Sequence, residues 1–227
     1  AEATLRQTLA VSERLHGRSH PDTLAVLGEL SLTLSASGQV EEAIAVSREV
    51  LAARTAAPGG ADRATIRSMV ALGAQLLTSE RIDEAEPLLE QAASLAATHL
   101  EETDSARLTA EHNWASVLYV RRRFAEAEPI YERVTRLRRA RDGEQHPDVI
   151  RGLEGLLFVR RELGRPPEAI EAAAREVART KEAVYGPEHP STLRARQNLA
   201  GMLTEYQKFD EAESLIRAVL GARRAAL

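Results

Sequence analysis

The feature that most constrains this fold is a repeat with a period of 42 residues. An alanine preceded by a glutamate recurs at intervals of 42, 42, 42 and 43 residues, at Ala43, Ala85, Ala127, Ala169 and Ala212. A large apolar residue stands 13 positions before each of these alanines, in the column Leu30, Leu72, Trp114, Leu156 and Leu199. Periods of this length are typical of repeat proteins, in which each unit buries its apolar face against its neighbours.

Each repeat carries the signals of two helices. Apolar residues recur at helical spacing, as in Leu215, Ile216 and Val219. Asp is a strong helix N-cap and Pro is favoured at the first helical position, so one column marks the start of each first helix. That column reads His20, Asp62, Asp104, His146 and His189, and Pro21, Pro147 and Pro190 follow its three histidines. Only 4% of the residues are aromatic, which favours closely packed helices, and we predict an all-α fold.

The period also predicts the boundaries of the repeats. We expect a lone second helix at residues 1–19 and then five helix pairs within one domain, at 20–61, 62–103, 104–145, 146–188 and 189–227. The Pro58-Gly59-Gly60 stretch replaces the His-Pro linker before the second pair. A chain that begins with half a repeat and ends on the apolar residues Leu215, Ile216 and Val219 has no polar cap, so we expect a fragment or a module of a longer protein.

Two linkers carry a family resemblance, Gly17-Arg18-Ser19-His20-Pro21-Asp22-Thr23 and Gly186-Pro187-Glu188-His189-Pro190-Ser191-Thr192. Together with the period, the stretch Asn198-Leu199-Ala200 and the stretch Phe209-Asp210-Glu211-Ala212-Glu213, they resemble the tetratricopeptide repeats (TPRs) of kinesin light chains. The resemblance implies a right-handed α-solenoid of about five helix-turn-helix pairs plus an N-terminal half repeat. It also implies that first helices line the inner surface, and that similar repeats recur in large bacterial signalling proteins.

Candidate binding residues follow from the inward stripe of the first helices. Arginines on or beside this stripe suit acidic groups, aromatic rings suit an apolar anchor, and asparagine amides can hold a peptide backbone. The predicted groove residues are Arg67, His112, Asn113, Tyr119, Arg151, Phe158, Arg161, Arg194, Gln197 and Asn198. The alternative is an ordinary solvated helix face, since exposed arginines are common and Glu29, Glu154, Glu162 and Glu205 are close by in the sequence.

Several classes of function are disfavoured by the sequence. The chain has no cysteine, its linker histidines His20, His146 and His189 are held apart by the repeat, and His112 has no second histidine at the spacing of a metal site. It has no nucleophile motif or phosphate-binding loop, so we predict no catalytic residues, no metal site and no cofactor. A net charge of -4 argues against nucleic acid as a partner, and no apolar run approaches the roughly 20 residues that cross a bilayer.

The sequence therefore predicts a cytoplasmic protein- or peptide-binding scaffold or sensor module, without enzymatic activity, within a larger bacterial protein. The expected partner is a protein or peptide with acidic and aromatic residues. The alternative is a structural module, in which uncapped ends drive self-association or the array serves as a spacer in a larger signalling ATPase or protease.

Overall fold

A computed structural model describes residues 1–57 and 62–225, and Pro58-Gly59-Gly60 lies outside this part. The described residues form eleven α-helices and no β-strand, which confirms the predicted all-α fold of helix-turn-helix pairs. The helices are α1 (Glu2–His16), α2 (Pro21–Ala36), α3 (Val40–Ala56), α4 (Arg63–Thr78), α5 (Ile82–His99), α6 (Ser105–Val120), α7 (Phe124–Asp142), α8 (Pro147–Glu162), α9 (Pro167–Tyr185), α10 (Pro190–Glu205) and α11 (Phe209–Ala225). First helices are even-numbered and second helices are odd-numbered.

The first helices begin at the predicted capping column. The Nδ1 atoms of His20, His146 and His189 accept hydrogen bonds from the backbone N–H two residues further on, at 3.3, 3.2 and 3.1 Å. The carboxylate of Asp104 caps α6 in the same way at 2.7 Å, and that of Asp62 caps α4 by accepting from the N–H of Thr65, three residues further on, at 2.8 Å. These bonds satisfy N–H groups that have no partner within the helix. The histidines therefore have a structural role in their linkers.

A residue in the left-handed region makes the turn inside each helix pair. The positive φ angles belong to Gly38 (82°), Glu80 (59°), Arg122 (61°), Gly164 (60°) and Gln207 (61°). In four of these turns the next backbone N–H donates to the carbonyl five residues earlier, as from Lys208 to Leu203 at 2.8 Å. Placing a non-glycine residue in this conformation costs about 1–2 kcal/mol of folding free energy. The packing of the flanking helices therefore stabilises the turns made by Glu80, Arg122 and Gln207.

The chain forms two compact units, Ala1–Val120 and Arg121–Leu227. The N-terminal unit contains α1 to α6, and each helix packs against the next along the chain. Its core includes Leu34, Ile66, Leu89 and Val117, all fully buried. A buried polar network joins three helices: Ser31 Oγ lies 2.6 Å from Ser47 Oγ and accepts a hydrogen bond from Gln75 Nε2 at 2.7 Å.

The C-terminal unit contains α7 to α11. Its main core cluster combines residues of α8 to α11, among them Leu157, Ile170 and Leu203. The sequence predicted an exposed apolar end at Leu215, Ile216 and Val219. This prediction is wrong for Leu215 and Val219. Leu215 packs against the core cluster and Val219 is 2% exposed, because both lie on the face of α11 that contacts α10. Ile216 remains exposed.

The alanine column requires one correction. Ala43, Ala85 and Ala127 are fully buried, but Ala169 is only half-buried, and its neighbour Ile170 takes the packed position at 5% exposure. The reason is an extra residue, Pro166, in the turn before α9. The backbone N–H of Ile170 donates to the carbonyl of Pro166 as that of Ala85 donates to Arg81. The single insertion in the period therefore falls before Ile170. From Ile170 to Ala212 the packed residues are again 42 positions apart.

Ion pairs join successive second helices on their exposed face. Arg6 contacts Glu42 at 2.8 Å, Arg48 contacts Glu84 at 2.5 Å and Arg175 contacts Glu211 at 2.6 Å, each pair 36 residues apart. A parallel set links residues 37 apart, including Lys208 to Glu171 at 2.7 Å. Exposed pairs of this kind contribute about 0–1 kcal/mol each to the free energy of unfolding. They therefore add to the packing of successive second helices but do not cause it.

Replacing Gly73 should test how closely the helices of a pair approach each other. An added Cβ would lie 2.5 Å from Leu89 Cδ2, whereas one at Gly28, in α2 of the same unit, would meet nothing within 4 Å. We expect Gly73→Ala to destabilise the chain by about 1–3 kcal/mol through overpacking, and Gly28→Ala to stabilise it by up to about 1 kcal/mol. Urea unfolding followed by circular dichroism measures both, and equal midpoints would contradict the close approach.

The ion pairs also predict a pH dependence. Hydrogen bonds from Lys208 and then Arg175 lower the pKa of Glu171 below its ordinary value of 4.5. The stabilisation is therefore present above about pH 4.5 and is lost as the pH falls through the lower folded-state pKa. We expect Glu171→Gln to lower the urea midpoint at pH 7, and the difference from the original chain to vanish towards pH 3. A pH-independent difference, or an equal effect of Glu213→Gln in α11, would contradict this.

Candidate functional site

The C-terminal unit contains a cleft of about 650 Å³ between the first helices α8 and α10, with the second helix α9 beneath it. Its apolar lining includes Leu157, Ala174, Val177, Ala195 and Met202, which are buried side chains of the core cluster. We call this the C-terminal cleft. Apolar concavities with a few polar groups at the edge are the usual form of a binding site.

Five of the predicted groove residues line the C-terminal cleft together: Phe158, Arg161, Arg194, Gln197 and Asn198. They converge because positions three, four and seven residues apart share one face of a helix. Phe158 is 46% exposed, so part of its apolar surface is accessible from the cleft. The helices α8 and α10 therefore bring these five residues to one cleft, and their role in binding stays a prediction.

The polar residues of this cleft differ in how far they are already engaged. Arg161 contacts Glu205 at 3.0 Å, and the Gln197 side-chain oxygen accepts a hydrogen bond from Arg223 at 2.9 Å. Within residues 1–57 and 62–225, the side chains of Arg194 and Asn198 make no hydrogen bond or ion pair. A guanidinium and an amide are therefore available to a ligand at the edge of an apolar surface.

Lys181 is a cleft residue that the sequence analysis missed. It lies on α9, is 3% exposed, and its Nζ atom is 2.5 Å from a carboxylate oxygen of Glu154 on α8. A buried ammonium requires such a partner, because an unpaired charge in the interior is costly. The sequence does contain a pattern that could have identified Lys181. A basic residue recurs at a constant distance after the packed residue of a repeat, and we call this set the basic column. It consists of Arg54 after Ala43, Arg138 after Ala127 and Lys181 after Ile170.

Arg151 lies apart from the residues that line the C-terminal cleft. It forms an ion pair with Asp148 one turn earlier on the same helix, near the helix start. The carboxylate of Asp148 is held in turn beside Arg138, a fully buried guanidinium that donates to the Asp148 carbonyl at 3.3 Å. The structure thus places Arg151 in the contacts that anchor the start of α8.

The N-terminal unit has two smaller clefts, and Arg67 lies at the edge of both. One, of about 190 Å³, is formed by α2, α3 and α4, and we call it the N-terminal cleft. The other, of about 400 Å³, lies between α4 and α6 and includes Arg63 and Thr109. Arg63 is engaged with Asp104 at 3.4 Å and with Ser105 Oγ at 3.0 Å, whereas Arg67 has no ion pair or hydrogen bond in the described part of the unit.

The remaining predicted groove residues, His112, Asn113 and Tyr119, are half-buried on α6. The Nδ2 atom of Asn113 donates to the Thr109 carbonyl one turn earlier, at 2.8 Å, so this amide is partly engaged by its own helix. Trp114 packs against the core cluster that contains Leu76 and Val117, as expected for the large apolar column.

The described residues contain no group of three or more His, Asp or Glu side chains positioned to hold a metal ion. Across the same residues, no helix combines the length and apolar character that a membrane span needs.

A family model for the tetratricopeptide repeat matches the chain at residues 1–56, 33–98, 106–182 and 158–225. The chain belongs to the tetratricopeptide repeat family. Proteins with such repeats are generally non-enzymatic scaffolds for protein–protein interaction, and the helix pairs of this TPR chain are those of an α-solenoid.

Solved structures show the same fold. The kinesin light chain-type TPR-like repeats from Podosopora anserina are 22% identical, with a TM-score of 0.76 over 91% of this chain and 98% of that one. BtubC (BKLC) from P. vanneervenii is 17% identical, with a TM-score of 0.82 over 99% and 90%. YrrB, a TPR protein with an unusual peptide-binding site, is 13% identical, with a TM-score of 0.57 over 95% and 92%. No curated protein matches the TPR chain significantly.

The buried pair beneath the C-terminal cleft predicts an asymmetry between its two partners. Lys181 is 3% exposed at its side chain and Glu154 is 31% exposed. Glu154→Gln leaves the buried ammonium without a carboxylate, and we expect a loss of about 1–3 kcal/mol. Lys181→Met keeps the volume and leaves a carboxylate that water can reach, so we expect a change below about 1.5 kcal/mol.

Urea unfolding of both variants at pH 7 measures this asymmetry. A larger loss for Lys181→Met than for Glu154→Gln would show that the ammonium, and not the carboxylate, is the solvated partner.

Proposed function

We propose that this TPR chain is a binding scaffold that holds an extended segment of a partner protein in the C-terminal cleft. The observation that carries the proposal is the convergence of Phe158, Arg194 and Asn198 around one cleft with an apolar floor and a polar edge, where Phe158 is 46% exposed and the two polar side chains are unengaged within the described residues. An accessible aromatic side chain beside the apolar lining of a cleft offers a partner a continuous apolar contact surface.

The chemistry of the cleft suggests the character of the segment. The exposed ring of Phe158 suits an aromatic or aliphatic anchor, because burying apolar area is the main source of affinity at such a site. Arg194 can form a charge-assisted bond with an acidic side chain. The amide of Asn198 can donate to a peptide carbonyl and accept from a peptide N–H at once.

The proposal also includes the binding residues predicted in the N-terminal unit. These are Arg67 on α4 and His112, Asn113 and Tyr119 on α6. We place the scaffold in the cytoplasm, within a larger bacterial protein and without catalytic residues of its own. The six segments predicted from the period remain its proposed repeats. The peptide-binding site of YrrB shows that this fold can serve such a role in another protein.

The test is affinity capture from a lysate of the source cell, followed by a binding titration with each captured protein. The double variant Phe158→Ala/Asn198→Ala removes the anchor and the backbone contact, and Arg194→Ala removes the acidic-group contact. We expect at least tenfold weaker binding for the double variant, about 1.4 kcal/mol or more, and a similar loss for Arg194→Ala if the bound segment is acidic.

Arg151→Ala is the matched control, since it removes an arginine of the same unit that lies outside the lining of the cleft. Circular dichroism establishes that each variant is folded. A partner that binds the double variant as tightly as the original chain would overturn the proposed cleft.

Self-association is a second candidate function, favoured by the exposed apolar side chains of the last helix. Phe209 is 60% exposed, Leu220 is 46% exposed and Ile216 is 36% exposed. Sedimentation velocity at rising concentration would reveal a dimer, and Ile216→Glu/Leu220→Glu should abolish it. A monomer throughout the concentration range would remove this candidate.

A further inference from the structure

The start of α10 depends on a titratable side chain. Its N-cap is His189, whose Nδ1 atom accepts a hydrogen bond from the backbone N–H of Ser191 at 3.1 Å. Pro190 has no N–H, and the N–H groups of Thr192 and Leu193 donate to the His189 carbonyl at 2.9 and 3.0 Å. The imidazole therefore satisfies the donor of this first turn that the described backbone does not.

Only a neutral imidazole can accept this hydrogen bond. Histidine takes up a proton between about pH 8 and about pH 5, and both ring nitrogens of the cation are donors. Protonation of His189 therefore removes the acceptor and also places a positive charge at the positive end of the helix dipole. The caps Asp62 and Asp104 do not change in this way, because a carboxylate keeps its acceptor oxygens throughout this pH range.

The three histidine caps differ in the residue that stands two positions after them. That residue is Asp22 in α2, Asp148 in α8 and Ser191 in α10. A carboxylate oxygen of Asp22 lies 3.7 Å from His20 Nδ1, and the charges of Asp148 and Asp142 act on His146. A protonated imidazole in either of these linkers keeps a negative partner beside the helix start. The third linker has a serine at that place, which carries no charge.

The other groups around His189 do not supply the missing carboxylate. The ring of Tyr185, at the end of α9, stacks on the imidazole with 4.8 Å between the ring centroids, and such a contact favours a cation only weakly at an exposed site. Glu182 of α9 is held by Arg196 of α10 at 2.8 Å, and this arginine also donates to a carbonyl of the linker at 3.4 Å. Within residues 1–57 and 62–225, neither His189 nor the preceding Glu188 forms an ion pair.

We infer that His189 is a pH-sensitive cap, whose protonation releases the first turn of α10 while the starts of the other first helices stay closed. Arg194 follows this turn directly and lines the C-terminal cleft with Asn198. Release of the turn therefore loosens the arginine edge of the cleft at acid pH. This effect on binding rests on the proposed function, whereas the loss of the cap does not.

The test uses the ¹⁵N-labelled chain alone, followed by NMR between about pH 7.5 and about pH 5. At the upper pH the imidazole signals should place the proton of His189 on Nε2, because Nδ1 is the acceptor. As His189 titrates, we expect the protection of the Ser191 N–H against solvent exchange, corrected for the intrinsic effect of pH, to fall about fivefold, the factor of a typical N-cap. The Thr65 N–H, held by Asp62, should keep its protection.

Three variants make the expected pattern specific, and circular dichroism establishes that each is folded. His189→Asp gives α10 the kind of cap that α4 has, so the protection at position 191 should no longer depend on pH in this range. Ser191→Asp restores the carboxylate of the other histidine linkers and should reduce the fall to about twofold or less. His99→Gln removes an exposed histidine that caps no helix, and the fall should remain about fivefold.

Unchanged protection of the Ser191 N–H through the titration would overturn the inference, and so would a proton on Nδ1 of His189 at the upper pH. An equal fall at Thr65, or a fall that persists in His189→Asp, would indicate a general effect of acid and would also overturn it. No partner is present in these measurements, so failure here is distinct from failure of the partner-binding test.

Discussion

The helix pairs depend on one packing contact, the close approach of the second helix through a residue near its start, which is an alanine in every pair but the fourth, where Ile170 takes the position. Ala43, Ala85 and Ala127 are fully buried at this place, so a larger side chain would separate the helix backbones. Because this contact fixes how the two helices of a pair meet, other features recur at fixed offsets from it. The ion pairs between successive second helices and the basic column beyond the packed residue both follow from this geometry.

The basic column shows how one position in a repeat can serve different purposes. Arg138 is fully buried and ties the start of α8 to α7 through the Asp148 carbonyl. Lys181 is neutralised by Glu154, and in the second pair the position is Ala96, without charge. Arg54 donates to the Ala64 carbonyl and to Ser68 Oγ, and Arg223, at the same offset in the last pair, donates to the Gln197 side-chain oxygen. The same position can therefore anchor the start of a helix, balance a buried charge or carry no charge in different repeats.

The period and the helix caps were predictable because they depend on local chemistry. Capping by His20 or Asp62 needs only the residue and the following backbone, and the structure confirms it. The packed column was misread at Ala169, because the extra Pro166 shifts α9 by one residue while a Glu-Ala match persists by coincidence. That error also hid the correspondence of Lys181 with Arg54 and Arg138. The ion pairs between second helices were not predicted, since they require the register of neighbouring helices.

Helical spacing indicates which residues share a helix face. It does not indicate whether their side chains already form ion pairs or hydrogen bonds. Arg151 and Arg194 look alike in the sequence, both five residues after a capping histidine. The difference comes from one neighbour: Arg151 has Asp148 one turn before it, and Arg194 has Ser191 at the same place. A carboxylate one helical turn away engages an arginine, and a serine leaves it available. Whether an arginine on a helix face can bind a ligand therefore depends on the acidic residues one turn away and in the neighbouring helices, more than on the number of arginines.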